Sequence, residues 1–101
     1  MGIMSMFKER YLRMADVGED ATIVRLVDAV KFTDSDKDRI FNELTGQYAP
    51  AFENGRPVLK VTNSAGQVVV VRIGDWLCRE RYNEFVPNYF VINGDVEEVV
   101  F

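Results

Sequence analysis

The sequence predicts an α+β fold: a single small domain, mainly an antiparallel sheet of about five strands, with an N-terminal amphipathic helix and a second helix packed on the sheet. Three observations predict it. Short β-prone runs such as the four valines at 68–71 alternate with turn signals such as Asn63-Ser64-Ala65-Gly66, the pattern of strands joined by tight turns. The first fourteen residues carry apolar side chains at helical spacing, and the acids Asp34, Asp36 and Asp38 open a second amphipathic run. At 101 residues and 48% hydrophobic, the chain holds apolar material for one modest core. The expected organisation is one domain over 1–101, with a helix at 1–15, a linker at 16–20 and an α+β core at 21–101.

In the first segment Ile3, Met4, Phe7, Tyr11 and Met14 form one stripe, and Lys8, Glu9 and Arg13 lie off it. That is an amphipathic helix of about three turns, which either packs on the sheet or swaps onto a partner subunit. Gly18 among Asp16, Glu19 and Asp20 ends it in an exposed linker. Residues 21–33 are rich in β-branched side chains. Extended, they place Val24, Leu26, Asp28, Val30 and Phe32 on one face, and Ile23, Arg25, Val27, Ala29 and Lys31 on the other. Asp28 therefore sits among apolar neighbours. It is either a structural carboxylate paired with an arginine such as Arg72 or Arg25, or a ligand-contacting acid with a raised pKa.

The second helix is expected to carry Ile40, Phe41, Leu44 and Tyr48 on one face and to end at Gly46. The spacing of Asp34, Asp36 and Asp38 resembles the start of a calcium loop, but Arg39 stands where the turn needs glycine and Thr45 where a glutamate ligand belongs. Ser35 with Asp38 fits a capping-box variant better. Residues 47–57, with Pro50, Asn54, Gly55 and Pro57 around Tyr48 and Phe52, suggest an irregular loop of the kind that covers a core edge or binds something. Residues 58–62 and 67–73 then pair as an antiparallel hairpin.

The chain is organised around residues 67–85. Gly74 supplies positive φ at a bend, Asp75 hydrogen-bonds the backbone there, and the single tryptophan, Trp76, follows as a large core anchor. Residues 76–79 and 84–86 are expected to pair around a turn at 80–83, with Phe85 as a further anchor. Residues 87–90 suggest a helical turn, and residues 96–101 a closing strand. Glu97 and Glu98 in that strand discourage uncontrolled edge pairing.

These residues resemble a family of small phage and prophage proteins, whose first strand reads roughly I-E-A-V-Q-W-T and whose C-terminal half carries G-D-W-I, G-E-F-Y and P-D-x-F. The first appears as Val27-Asp28-Ala29-Val30-Lys31-Phe32-Thr33. The second appears as Gly74-Asp75-Trp76-Leu77, Asn83-Glu84-Phe85-Val86 and Pro87-Asn88-Tyr89-Phe90. Two features depart from the pattern: Pro87 follows Phe85 by two residues where the family leaves several, and the N-terminal segment has no counterpart. The resemblance covers residues 27–90 and implies a phage-derived intracellular accessory protein, with no catalytic residues to carry over.

Composition narrows the function classes. There is no histidine, the usual base for serine and cysteine nucleophiles and the commonest metal ligand, so no enzyme, metal or cofactor is expected. The single Cys78 makes no internal disulfide, consistent with a cytoplasmic protein. A net charge of -4 argues against nucleic acid as partner, and no run approaches the roughly 18 apolar residues of a membrane span. The expected function is non-catalytic binding to a host protein, as a host-takeover or anti-defence inhibitor. Tyr48, Phe52, Arg56, Arg79, Arg81 and Tyr82 would form the binding surface, since arginine with tyrosine is a hot-spot combination. Two alternatives stand beside it: a sponge for a small nucleotide-like signal, clamped by Arg56, Arg79 and Arg81 and stacked on Tyr82, and a virion or assembly component. A homodimer through the N-terminal helix or the terminal strand is also expected.

Overall fold

The computed structural model describes residues 5–15, 22–44, 48–63, 65–80, 88–93 and 96–100, with the backbone alone at 14, 15, 22 and 23. Its elements are β1 (Lys8–Ala15), β2 (Thr22–Lys31), α1 (Lys37–Glu43), β3 (Tyr48–Glu53), β4 (Arg56–Thr62), β5 (Val68–Arg72), β6 (Trp76–Glu80), β7 (Asn88–Ile92) and β8 (Glu97–Val99). They form two antiparallel sheets, one ordered β7-β6-β2-β1-β8 and the other β3-β4-β5. Among the described residues, no helix is long and apolar enough to cross a membrane.

This architecture overturns the expected α+β fold with two helices. The N-terminal segment is not a helix from residue 5 onward: β1 is an interior strand, paired with β2 from Lys8↔Ala29 to Ala15↔Thr22 and with β8 at Tyr11↔Val99. The apolar stripe does not mark the buried side of this segment: Tyr11, a stripe residue, is 41% exposed, and Leu12, which lies off the stripe, is fully buried. Phe7 enters one apolar cluster and Leu12, of opposite parity, enters another. Their five-residue separation breaks the period-two pattern that would have signalled β-structure.

The main cluster lies between the sheets. Val30, Leu77 and Tyr89 of the larger sheet, with Phe32 just past β2, meet Leu59, Val61 and Val71 of the smaller one, joined by Ile40 of α1 and its C-cap Leu44. Burying each such side chain contributes roughly 1.5–3 kcal/mol. A second cluster on the far face of the larger sheet contains Leu12, Val27, Ala29, Trp76, Cys78 and Ile92. Trp76 is 6% exposed there, donates from Nε1 to the Val96 carbonyl at 3.3 Å and lies beneath Arg10, 5.2 Å from the ring centroid.

The sheets are joined at Gly74-Asp75. Gly74 has φ +97°, which an L side chain rarely adopts. Its N–H donates to the Phe32 carbonyl at 2.8 Å, and the Phe32 N–H donates to the Asp75 carbonyl at 2.9 Å. The buried Asp75 carboxylate accepts the Arg72 N–H at 3.0 Å. These bonds splice the end of β5 onto the end of β2, so the smaller sheet is held at a fixed place on the larger.

Several local expectations need correction. From residue 48 on, the expected irregular loop at 47–57 is instead β3 running into β4. Tyr48 accordingly leaves the helical face and becomes the first residue of β3. Residues 88–90 belong to β7, which pairs with β6 through Cys78↔Phe90, and are not a helical turn. No capping box closes α1: its N-cap is Asp36, with no side-chain cap bond, and the Asp36 N–H donates instead to Thr33 Oγ1. The linker at 16–20, the terminator Gly46, Arg81, Tyr82, Phe85 and the strand at 84–86 lie outside the described residues.

Candidate recognition surface

The β3–β4 hairpin turns on Asn54-Gly55, with φ +52° and +78°. Left-handed conformations at both central residues make a turn whose twist matches the flanking strands, and Asn-Gly is the dipeptide that adopts it most readily. The turn fixes the register Glu53↔Arg56, Phe52↔Pro57 and Pro50↔Leu59. Tyr48, Pro50 and Phe52 therefore share the face of Leu59 and Val61. Near α1 this face is covered: Tyr48 stacks on Phe41 at 6.4 Å, and Phe41 lies 6.2 Å from Phe32. Further out the covering thins. Tyr48 is 40% exposed and Phe52, beside the turn, 78% exposed.

Arg56 points to the opposite face, with Glu53 and Arg72. There the Arg72 guanidinium donates to both Glu53 carboxylate oxygens, at 2.8 and 3.1 Å. The hydrogen bond holds the Glu53 carboxyl below its ordinary value and raises Arg72. Since these residues flank β4, the pair spans over Val58, which is 3% exposed. Glu53, Arg56, Pro57 and Arg72 line a cleft of about 350 Å³ at this end of the sheet.

Arg79 belongs to a different structure. It lies on β6 in the other sheet, its side chain only 14% exposed, with Nε and Nη2 on Asp28 Oδ2 at 3.0 and 2.9 Å. Glu43 adds a longer contact of 4.0 Å, and the Phe7 ring packs 4.3 Å from the guanidinium carbon. Asp28 and Arg79 are direct cross-strand neighbours. The partner of Asp28 is thus Arg79 and neither Arg72 nor Arg25, because β6 and not β5 pairs with β2; Arg25 reaches Glu80 at 3.7 Å. Tyr48 and Phe52 come together, Arg56 sits across the sheet from them, and Arg79 is committed to an ion pair elsewhere.

No protein-family model, curated protein or solved structure matches the chain. The phage-like motifs at 27–33 and 74–77 therefore rest on the residues themselves. In the structure they meet: Phe32, the penultimate residue of the first motif, exchanges backbone hydrogen bonds with Gly74 and Asp75, which open the second.

Among the described residues, no group of three or more Cys, Asp or Glu is placed to hold a metal ion. Cys78 is fully buried, and burial pushes its thiol up to about 12, far from the range of a nucleophile at neutral pH. Two features escaped sequence reasoning. Asn54-Gly55 was a legible hairpin signal, obscured by Pro50 and Pro57 on either side. The exposed group Tyr11, Val24 and Leu26 on the larger sheet became a surface only when β1 became a strand.

Proposed function

We propose that this chain acts without catalysis, by binding a protein partner through the aromatic face of the β3–β4 hairpin, as a phage-derived accessory protein would engage a host protein. The observation that carries this reading is Phe52, 78% exposed on a strand whose position a two-residue turn defines. A large apolar ring held in water by a rigid element is pre-organised for a partner's pocket, where its burial contributes roughly 1.5–3 kcal/mol at little entropic cost. Tyr48 extends the same face.

Strand addition is disfavoured as the binding mode on this edge. The pair flanking a two-residue turn is hydrogen-bonded, and bonded pairs alternate along an antiparallel ladder. Glu53, Ala51 and Ala49 therefore bond to β4, and Tyr48, Pro50 and Phe52 turn their backbone outward. Pro50 has no N–H to offer a new strand, so recognition falls to side chains. The nucleotide-sponge alternative loses Arg79, whose guanidinium is engaged by Asp28.

The test is capture from bacterial lysate on the immobilised chain and on its Phe52→Ala variant, with the melting temperature of each recorded. A protein retained by the parent and lost with Phe52→Ala, at unchanged melting temperature, is the expected result. If nothing is retained, or if retention ignores the substitution, the reading fails.

A further inference from the structure

On the face of the larger sheet that carries the main core, the apolar surface continues past the edge of that core. Leu26 of β2, Tyr11 of β1 and Val99 of β8 form one row across three adjacent strands, by the pairings Tyr11↔Leu26 and Tyr11↔Val99. Val24, Arg13 and Glu97 form the next row. Leu26 is 50% exposed, Val24 44% and Tyr11 41%. Three large side chains on neighbouring strands make a contiguous apolar patch, and a patch rimmed by charge marks an interaction site.

From this geometry we infer that the patch is the contact between two copies of this chain, stacked face to face with their β1 strands antiparallel. The charges on β1 select the occupant and its orientation. Along the exposed face β1 reads Glu9, Tyr11, Arg13, an acid, an aromatic and a base at successive same-face positions, about 7 Å apart. A twofold axis that crosses β1 at Tyr11 and reverses the strand carries Arg13 of each copy toward Glu9 of the other and lays Leu26 against its counterpart, with Val24 falling over the Glu9–Asp28 row. An axis parallel to β1 would instead set Arg13 against Arg13 and Glu9 against Glu9, a like-charge arrangement that costs free energy. Stacked sheets lie about 10 Å apart, a gap that long glutamate and arginine side chains span from the two sides. Within one copy, Arg13 has only a loose contact with Glu97 at 3.9 Å, the two side chains 51% and 80% exposed, so a second copy can recruit it. This surface is separate from the Phe52 hairpin and does not depend on its role.

Sedimentation equilibrium of the full chain over a range of concentrations tests the inference. The parent is expected to move from the 11.6 kDa chain mass toward twice that value as concentration rises. Leu26→Lys and Glu9→Arg should each weaken association by at least about tenfold, the loss typical of a central contact, with melting temperatures close to the parent's because both positions are exposed. The double charge swap Glu9→Arg with Arg13→Glu should restore association. A parent that stays monomeric at its highest soluble concentration overturns the inference, as does a dimer indifferent to Leu26→Lys or a charge swap that fails to restore association.

Discussion

At the level of single residues, the buried polar groups explain why Arg79 does not join Arg56 in one surface. Arg79 and Asp28, with side chains 14% and 11% exposed, satisfy one another inside the sheet, where an unpaired charge would cost several kcal/mol. The sequence made Asp28 conspicuous, since it falls among apolar neighbours. Its partner was hidden, because choosing among the arginines requires knowing which strand lies beside β2. Gly74 and Asp75 were legible for a simpler reason: their roles depend on local backbone conformation. Cys78 supplies the residue-scale prediction. Burial raises its pKa from 9.0 to about 12, so between those values the unfolded chain has lost the proton and the folded chain has kept it. Stability must then fall as pH rises above about 9, by up to about 1.4 kcal/mol per pH unit from this group. Urea denaturation of the parent and of Cys78→Ala at pH 8.5 and 10.5 should show the parent's advantage shrinking at the higher pH. A constant difference would mean that the thiol ionises equally in both states.

At the scale of elements, the β4–β5 hairpin was readable because Asn63-Ser64-Ala65-Gly66 marks its turn, with Gly66 at φ +80° and the Asn63 carboxamide oxygen accepting the Gln67 N–H at 2.9 Å. The β3–β4 hairpin was missed because two prolines in eleven residues suggested a loop. Prolines are compatible with an edge strand whose N–H side faces outward, and β3 is an edge. Pro50 is then a guard on that edge as well as a structural oddity. Replacing it with valine restores an outward N–H beside the exposed Phe52 and creates a pairing edge. Pro50→Val is expected to aggregate faster than the parent on prolonged warm incubation, followed by light scattering. Equal rates would show that the edge is protected by something other than the proline.

At the scale of the whole molecule, two sheets meet over one core, and each carries exposed apolar side chains where it extends past the other. The smaller sheet carries Phe52 beyond the reach of α1, and the larger carries Tyr11, Val24 and Leu26 beyond the main cluster. This division between stability and recognition follows from how the layers overlap, which no local pattern in the sequence encodes. The strand pairing of β1 decides most of it, since β1 lies between β2 and β8 and buries Leu12 completely. The backbone ¹³Cα and ¹³Cβ chemical shifts of residues 8–14, measured by NMR on the intact chain, therefore test the account most directly. Strand-type shifts, with amides of Arg10 to Arg13 protected from exchange as strongly as those of Val27 to Val30, are the predicted result. Helix-type shifts over the same residues, the outcome that the apolar spacing alone suggests, would contradict it.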